Sequence, residues 1–156
     1  MKAKTNGIET NYEIHGREGA PWLTFSHSLA CTLRMWDDQV AAFKDSFRIL
    51  LYDTRGHGRS AAPAGPYTLE GLADDLRGLL AHLGIQKLHF VGLSMGGMIG
   101  QTFALKYPGM FTTLTLADTT SRYPAEAAAT WAARIKIAET QGMQPLVQPT
   151  LERWFT

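Results

Sequence analysis

Cysteine is nearly absent from this 156-residue chain: Cys31 stands alone. No intrachain disulfide can form, which fits a reducing compartment. Charge excess is missing too. The 15 basic and 14 acidic residues leave a formal charge of +1, so no strong field draws nucleic acid or an acidic membrane toward it. Neither is expected as a partner. No apolar run approaches the length that spans a bilayer. The opening Met-Lys-Ala-Lys-Thr-Asn-Gly lacks the apolar segment of a secretory signal, so a cytoplasmic location is expected. The last scarcity is chemical. All five histidines (His15, His27, His57, His82 and His89) lie in the first 89 residues.

Apolar residues make up 45% of the chain and charged residues 19%, the balance of a globular protein with a buried core. Short apolar runs bounded by glycine and charge predict strands at Trp22–Ser26, Phe47–Tyr52, Leu88–Leu93 and Leu114–Ala117, with a mixed strand over Gly7–Gly16. Helical spacing lies between them. Leu72, Leu76, Leu79, Leu80 and Leu83 share one face of a helix over Leu69–Leu83, with Thr68 able to cap its start and Gly84 its end. Met35–Phe43 and Ser94–Tyr107 are further helices. Strand alternating with helix predicts an α/β protein with a mostly parallel sheet, right-handed crossovers and helices on both faces. After about residue 120 the pattern changes. An alanine-rich helix over Ala125–Thr140 and a short one over Pro149–Phe155 lead to no further strand. Residues 1–120 are thus expected to form the N-terminal part of a core, and residues 121–156 the start of a helical lid.

The segment with most chemistry is Phe90-Val-Gly-Leu-Ser-Met-Gly-Gly-Met98. It places Gly92-x-Ser94-x-Gly96 where a strand meets a helix. A nucleophile on such a bend projects its hydroxyl above the sheet, and its neighbours two residues away must be small because strand and helix nearly touch. The helix behind it offers free N–H groups and partial positive charge to a developing oxyanion. The plainer alternative is a glycine-rich turn with a capping serine. The loop Ser26-His-Ser-Leu29 follows the Trp22 strand and can bring a backbone N–H, that of Leu29, beside the N–H of Met95. Alone, that loop reads better as a plain connection with a structural His27. Asp53-Thr-Arg-Gly-His-Gly-Arg-Ser60 follows the Phe47 strand and reads as scaffold, with Asp53 and Arg55 pinning the loop by charge-assisted hydrogen bonds.

In chain order, the His-Ser-Leu loop, Asp53-x-Arg-Gly-His-Gly-x-Ser60 and Gly92-Leu-Ser-Met-Gly-Gly97 resemble the α/β-hydrolase superfamily. Within it, Ser26-His-Ser-Leu-Ala-Cys-Thr-Leu-Arg-Met-Trp-Asp-Asp-Gln39 and the tail from Trp131 to Thr156 resemble the 3-oxoadipate enol-lactonases. The resemblance implies Ser94 as catalytic nucleophile, Leu29 and Met95 as oxyanion donors, and a small ester or lactone carrying carboxylates as substrate. It implies no metal and no organic cofactor. Arg134 becomes a candidate carboxylate clamp, with Trp131 and Trp154 as candidate pocket walls; surface charge explains Arg134 equally well, and lid packing explains the two tryptophans better. Other hydrolases of the same fold, cofactor-free haloperoxidases and a non-catalytic binding module share the core motifs.

The superfamily orders its triad as serine, acid, histidine. No histidine follows Ser94. Asp118 stands where some relatives carry the acid, but it also reads as a turn residue. The expectation is therefore the N-terminal part of an incomplete α/β-hydrolase fold, a fragment or one half of a split enzyme. A complementary C-terminal half or self-association is expected with it, and little activity without it.

Overall fold

A computed structural model describes residues 1–155. They divide into two compact units, residues 1–121 and the segment from Arg122 onward. The first unit holds a six-stranded sheet: β1 (Lys2–Thr5), β2 (Ile8–Gly16), β3 (Trp22–Ser26), β4 (Arg48–Tyr52), β5 (Leu88–Leu93) and β6 (Phe111–Ala117), in spatial order β1-β2-β4-β3-β5-β6. The β4-β3-β5-β6 ladders are parallel, and β1-β2 and β2-β4 are antiparallel. The helices of this unit are α1 (Asp37–Phe43), preceded by a 3-10 turn over Leu33–Trp36, α2 (Leu69–His82) and α3 (Met95–Lys106).

Strand β4 shows why the sheet is covered on both faces. Ile49, Leu50 and Leu51 have no exposed surface and Tyr52 has 2%. Alternate residues of a strand point to opposite faces. Leu50 and Tyr52 join Leu72, Leu76, Leu79 and Leu80 of α2 with Ile99 and Phe103 of α3. Ile49 and Leu51 join Leu33 and Trp36 of the 3-10 turn, with Val40 of α1 at the margin. A strand buried on both faces needs an unbroken apolar run, and Arg-Ile-Leu-Leu-Tyr supplies one. The leucine stripe of α2 buries as its spacing predicts, each side chain contributing about 2–3 kcal/mol of transfer free energy. Thr68 caps that helix by accepting from the Gly71 N–H at 3.0 Å.

Several boundaries differ from the sequence pattern, three of them with a clear local reason. The strand expected from Gly7 is the second arm of a hairpin whose first arm, β1, the pattern missed. Asn6 and Gly7 form its two-residue turn with φ of 48° and 75°. Asn-Gly tolerates two consecutive positive φ values, and that is the connection a twisted hairpin needs. Ser94 lies outside α3, which begins at Met95. In the second unit, α4 spans Ala127–Gln141 and α5 spans Gln144–Trp154. The latter starts well before Pro149, because Pro145 occupies its first turn, where no backbone N–H is required. No helix among the described residues is long and apolar enough to cross a membrane.

Candidate active site

Strand β5 ends in a sharp reversal. Ser94 has φ 51° and ψ −113°, a combination that non-glycine residues adopt only when the surroundings enforce it. Several bonds enforce it here. The Ser94 N–H donates to the Ala117 carbonyl at 3.0 Å. Its carbonyl accepts from the N–H of Gly97 at 2.9 Å, from that of Met98 at 3.1 Å and from the Thr119 hydroxyl at 2.6 Å. The glycines are needed for space. A Cβ on Gly92 would lie 2.6 Å from the Gly97 nitrogen, and one on Gly96 would lie 2.6 Å from the carbonyl carbon of Ser26. Both contacts are with backbone, so neither relaxes by a rotamer change. Met95 is the first residue of α3, and its N–H has no carbonyl one turn earlier to bond.

The register brings a second loop alongside. Ser26 at the end of β3 pairs with Gly92 of the parallel β5. The loop after β3 and the bend after β5 therefore leave the same sheet edge side by side, the edge where open α/β sheets bind ligands. His27 opens that loop and has no exposed surface. Its Nδ1 lies 2.8 Å from the Ser28 carbonyl, which only accepts, so Nδ1 carries the proton. Its Nε2 accepts from the Thr54 N–H at 3.0 Å. Burial pushes this imidazole toward lower pKa, partly opposed by its hydrogen bond to the Ser28 carbonyl. The chain then turns through Ala30, at φ 62°, and the Cys31 N–H closes on the Ser28 carbonyl at 3.2 Å. Leu29 stands at the exposed tip.

Asp53 ties the scaffold together. Its buried carboxylate accepts from the Leu33 N–H at 2.8 Å, the Asn11 side-chain amide at 2.8 Å and the Arg59 N–H at 2.9 Å. One side chain thus joins β2, the loop after β4 and the turn that follows the Leu29 loop. Arg55 forms a two-pronged pair with Asp75 of α2, both bonds 2.6 Å. That pairing raises the Arg55 pKa. The pinning expected of these two residues is present.

None of the five histidines hydrogen-bonds to Ser94. His15 contacts Glu13, His89 contacts Thr113, and His82 lies exposed on α2. Asp118 is exposed, at φ 40°, in the turn after β6. Sequence reasoning missed two supports of the bend: Thr119, and Ser26, whose hydroxyl bonds the buried Tyr52 hydroxyl at 2.8 Å beneath it. No local signal marks either. In the second unit the Arg134 guanidinium lies over the Trp131 ring at 4.9 Å, Tyr123 meets that ring edge-on, and Trp154 is exposed on α5. A shallow groove of about 630 Å³ lies against the β1–β2 hairpin and Ala61–Pro63, and includes neither residues 27–31 nor Ser94.

A parallel sheet with a strained serine between β5 and α3 defines a class. The sequence matches the α/β hydrolase fold family over residues 14–143, and the chain belongs to that family. Its resemblances within the family are specific. It is 42% identical over 149 residues to 3-oxoadipate enol-lactonase 2 of Acinetobacter baylyi, covering 96% of this chain and 55% of that protein. The enol-lactonase structure from Burkholderia xenovorans matches all of this chain and 60% of its own length, with TM-score 0.95 and 43% identity. A thermophilic esterase from Thermogutta terrifontis matches at TM-score 0.87 and 33% identity, over 98% of this chain and 58% of its own. The chain thus spans little more than half the length of these relatives.

Proposed function

We propose that this chain carries the nucleophile and oxyanion hole of a serine-dependent lactone or ester hydrolase resembling 3-oxoadipate enol-lactonase. The observation that carries the reading is the Ser94 bend, a strained serine held at the edge where the β3 loop also emerges. Ser94 Oγ attacks the lactone carbonyl, and the N–H groups of Leu29 and Met95 hold the resulting oxyanion. A histidine takes the serine proton, passes it to the departing alkoxide and then activates water against the acyl-enzyme. No histidine follows Ser94 in this sequence, and the acid candidate Asp118 has none to orient. The proposal assigns the base to the part of the enzyme that the longer relatives have and these 156 residues do not span. Arg134 is the proposed clamp for a substrate carboxylate, with Trp131 and Trp154 walling the pocket; in the free chain Arg134 rests on Trp131. The chemistry requires no metal or organic cofactor.

The test is labelling by a serine-reactive phosphonate with the complementary half added. Labelling should vanish in Ser94→Ala, and equal labelling of both proteins would overturn the assignment. The 156 residues alone should show negligible turnover, since serine without a base is a weak nucleophile. The likeness to an esterase structure supports a second substrate class, simple carboxylic esters. A panel of carboxylated lactones against uncharged esters separates the two.

A further inference from the structure

Two imidazoles lie face to tilted face behind the Leu29 loop. The His27 and His57 ring centroids are 5.2 Å apart at 55°. The partners of His57 dictate its proton. Nδ1 lies 3.1 Å from the Arg55 carbonyl, which only accepts, so Nδ1 is the protonated nitrogen. Nε2 lies 3.2 Å from the Ala30 nitrogen, which only donates, so Nε2 is bare. Both rings therefore hold the same neutral tautomer. Between them the Thr54 hydroxyl lies 3.2 Å from His57 Nδ1 and 3.2 Å from His27 Nε2. It can accept from the first and donate to the second. Each bare Nε2 faces a backbone N–H, that of Thr54 for His27 and that of Ala30 for His57.

We infer that His57 is a positioning residue that latches the loop carrying the Leu29 N–H, and that the latch holds only while the ring is neutral. Protonating Nε2 would set an N–H against the Ala30 N–H, turning an attraction into a repulsion. Ala30 needs such a hold. It is exposed, and its φ of 62° is costly for a residue with a β-carbon. The turn's other local bond is the Cys31 N–H to the Ser28 carbonyl. The ionisable groups around His57 are few. His27 and Cys31 come from the loop it latches. Asp53, Arg55 and Arg59 come from its own loop, and Asp75 of α2 meets Arg55. Asp53 accepts from three N–H donors, and Arg55 and Asp75 are paired to each other. The inference rests on the proposed function for the importance of the Leu29 N–H, but the latch itself is independent of it.

The experiment is amide hydrogen exchange read by NMR on the 156-residue chain, with the ring nitrogens of His57 followed through a pH titration. The expected result is a bare Nε2 at neutral pH. Protection factors at Ala30 and its neighbours should then fall about tenfold as the His57 ring protonates, the loss expected for one hydrogen bond. His57→Leu should show that loss at every pH, with β3 and β5 amides unaffected. His57→Gln, whose Oε1 accepts without titrating, should restore protection and remove its pH dependence. Unchanged Ala30 protection in His57→Leu, or a pH dependence surviving in His57→Gln, would overturn the inference. Exchange does not depend on turnover, so failure of the latch and failure of the Ser94 assignment are read separately.

Discussion

Replacing Gly96 by alanine adds one methyl group where α3 crosses the end of β3. Its carbon would lie 2.6 Å from the Ser26 carbonyl carbon and 2.9 Å from Ser26 Cβ. Carbon atoms prefer 3.5–4.0 Å, so strand and helix must part by roughly 1 Å. Nothing nearby gives easily, because Ser26 pairs in the sheet with Gly92 and its hydroxyl bonds Tyr52. Overpacking of a rigid core costs about 1–3 kcal/mol, and backbone contact places this site at the upper end. The intrinsic gain of alanine over glycine in a helix, about 1 kcal/mol, offsets only part of it. The net expectation is a loss of about 2 kcal/mol. Gly71→Ala is the matched control. The chemical change is the same and also falls in a helix, but its methyl meets only the Thr68 hydroxyl, at 3.2 Å. That variant should be neutral or up to about 1 kcal/mol more stable. Urea unfolding measures both, with a midpoint shift at unchanged slope marking a true stability change. Equal midpoints for Gly96→Ala and Gly71→Ala would refute the claim that close backbone approach, rather than helix propensity, dictates glycine at the bend.

Other consequences follow from single contacts. Asp53→Asn turns one acceptor oxygen into a donor facing the N–H of Leu33, Arg59 or the Asn11 amide, and should cost about 2–3 kcal/mol in the same urea assay. Thr119→Val removes the hydroxyl that donates to the Ser94 carbonyl, which keeps two N–H donors, so a loss of about 1 kcal/mol is expected. The pH dependence of stability carries a sign. Burial holds the folded-state pKa of His27 below its ordinary 6.5. Between those values the unfolded chain binds the extra proton, so the stability from a neutral His27 is full above about pH 6.5 and is lost as pH falls toward the folded value. A His27→Gln variant should show a flatter acid limb in urea midpoints between pH 7 and 5; an acid limb as steep as wild type would assign the effect to other groups.

How much of this was legible depends on how far apart the interacting residues lie. The strand at Leu88–Leu93, the helix that follows it (though expected from Ser94 rather than Met95) and the glycines around Ser94 were readable because each is a local demand. Apolar runs report burial, helical spacing reports a face, and a tight bend reports small residues. The hairpin before β2 was readable in principle from Asn6-Gly7, yet β1 has too little apolar character to stand out. Thr119, Ser26 and Tyr52 gave no warning. Thr119 and Ser26 reach the bend, and Tyr52 reaches Ser26, only through strand pairing between segments 25 or more residues apart in sequence.

The order of apolar runs and turn residues alone settled the alternation of strand and helix and put a serine where β5 meets α3, while the family came from the resemblance of three motifs. These depend on interactions within a few residues along the chain. The folded structure decided which loop leaves the sheet edge beside that serine, which imidazole nitrogen is bare, and which N–H groups Asp53 accepts from. Those outcomes depend on register between strands and on donors meeting acceptors across loops, and no run of neighbouring residues encodes them.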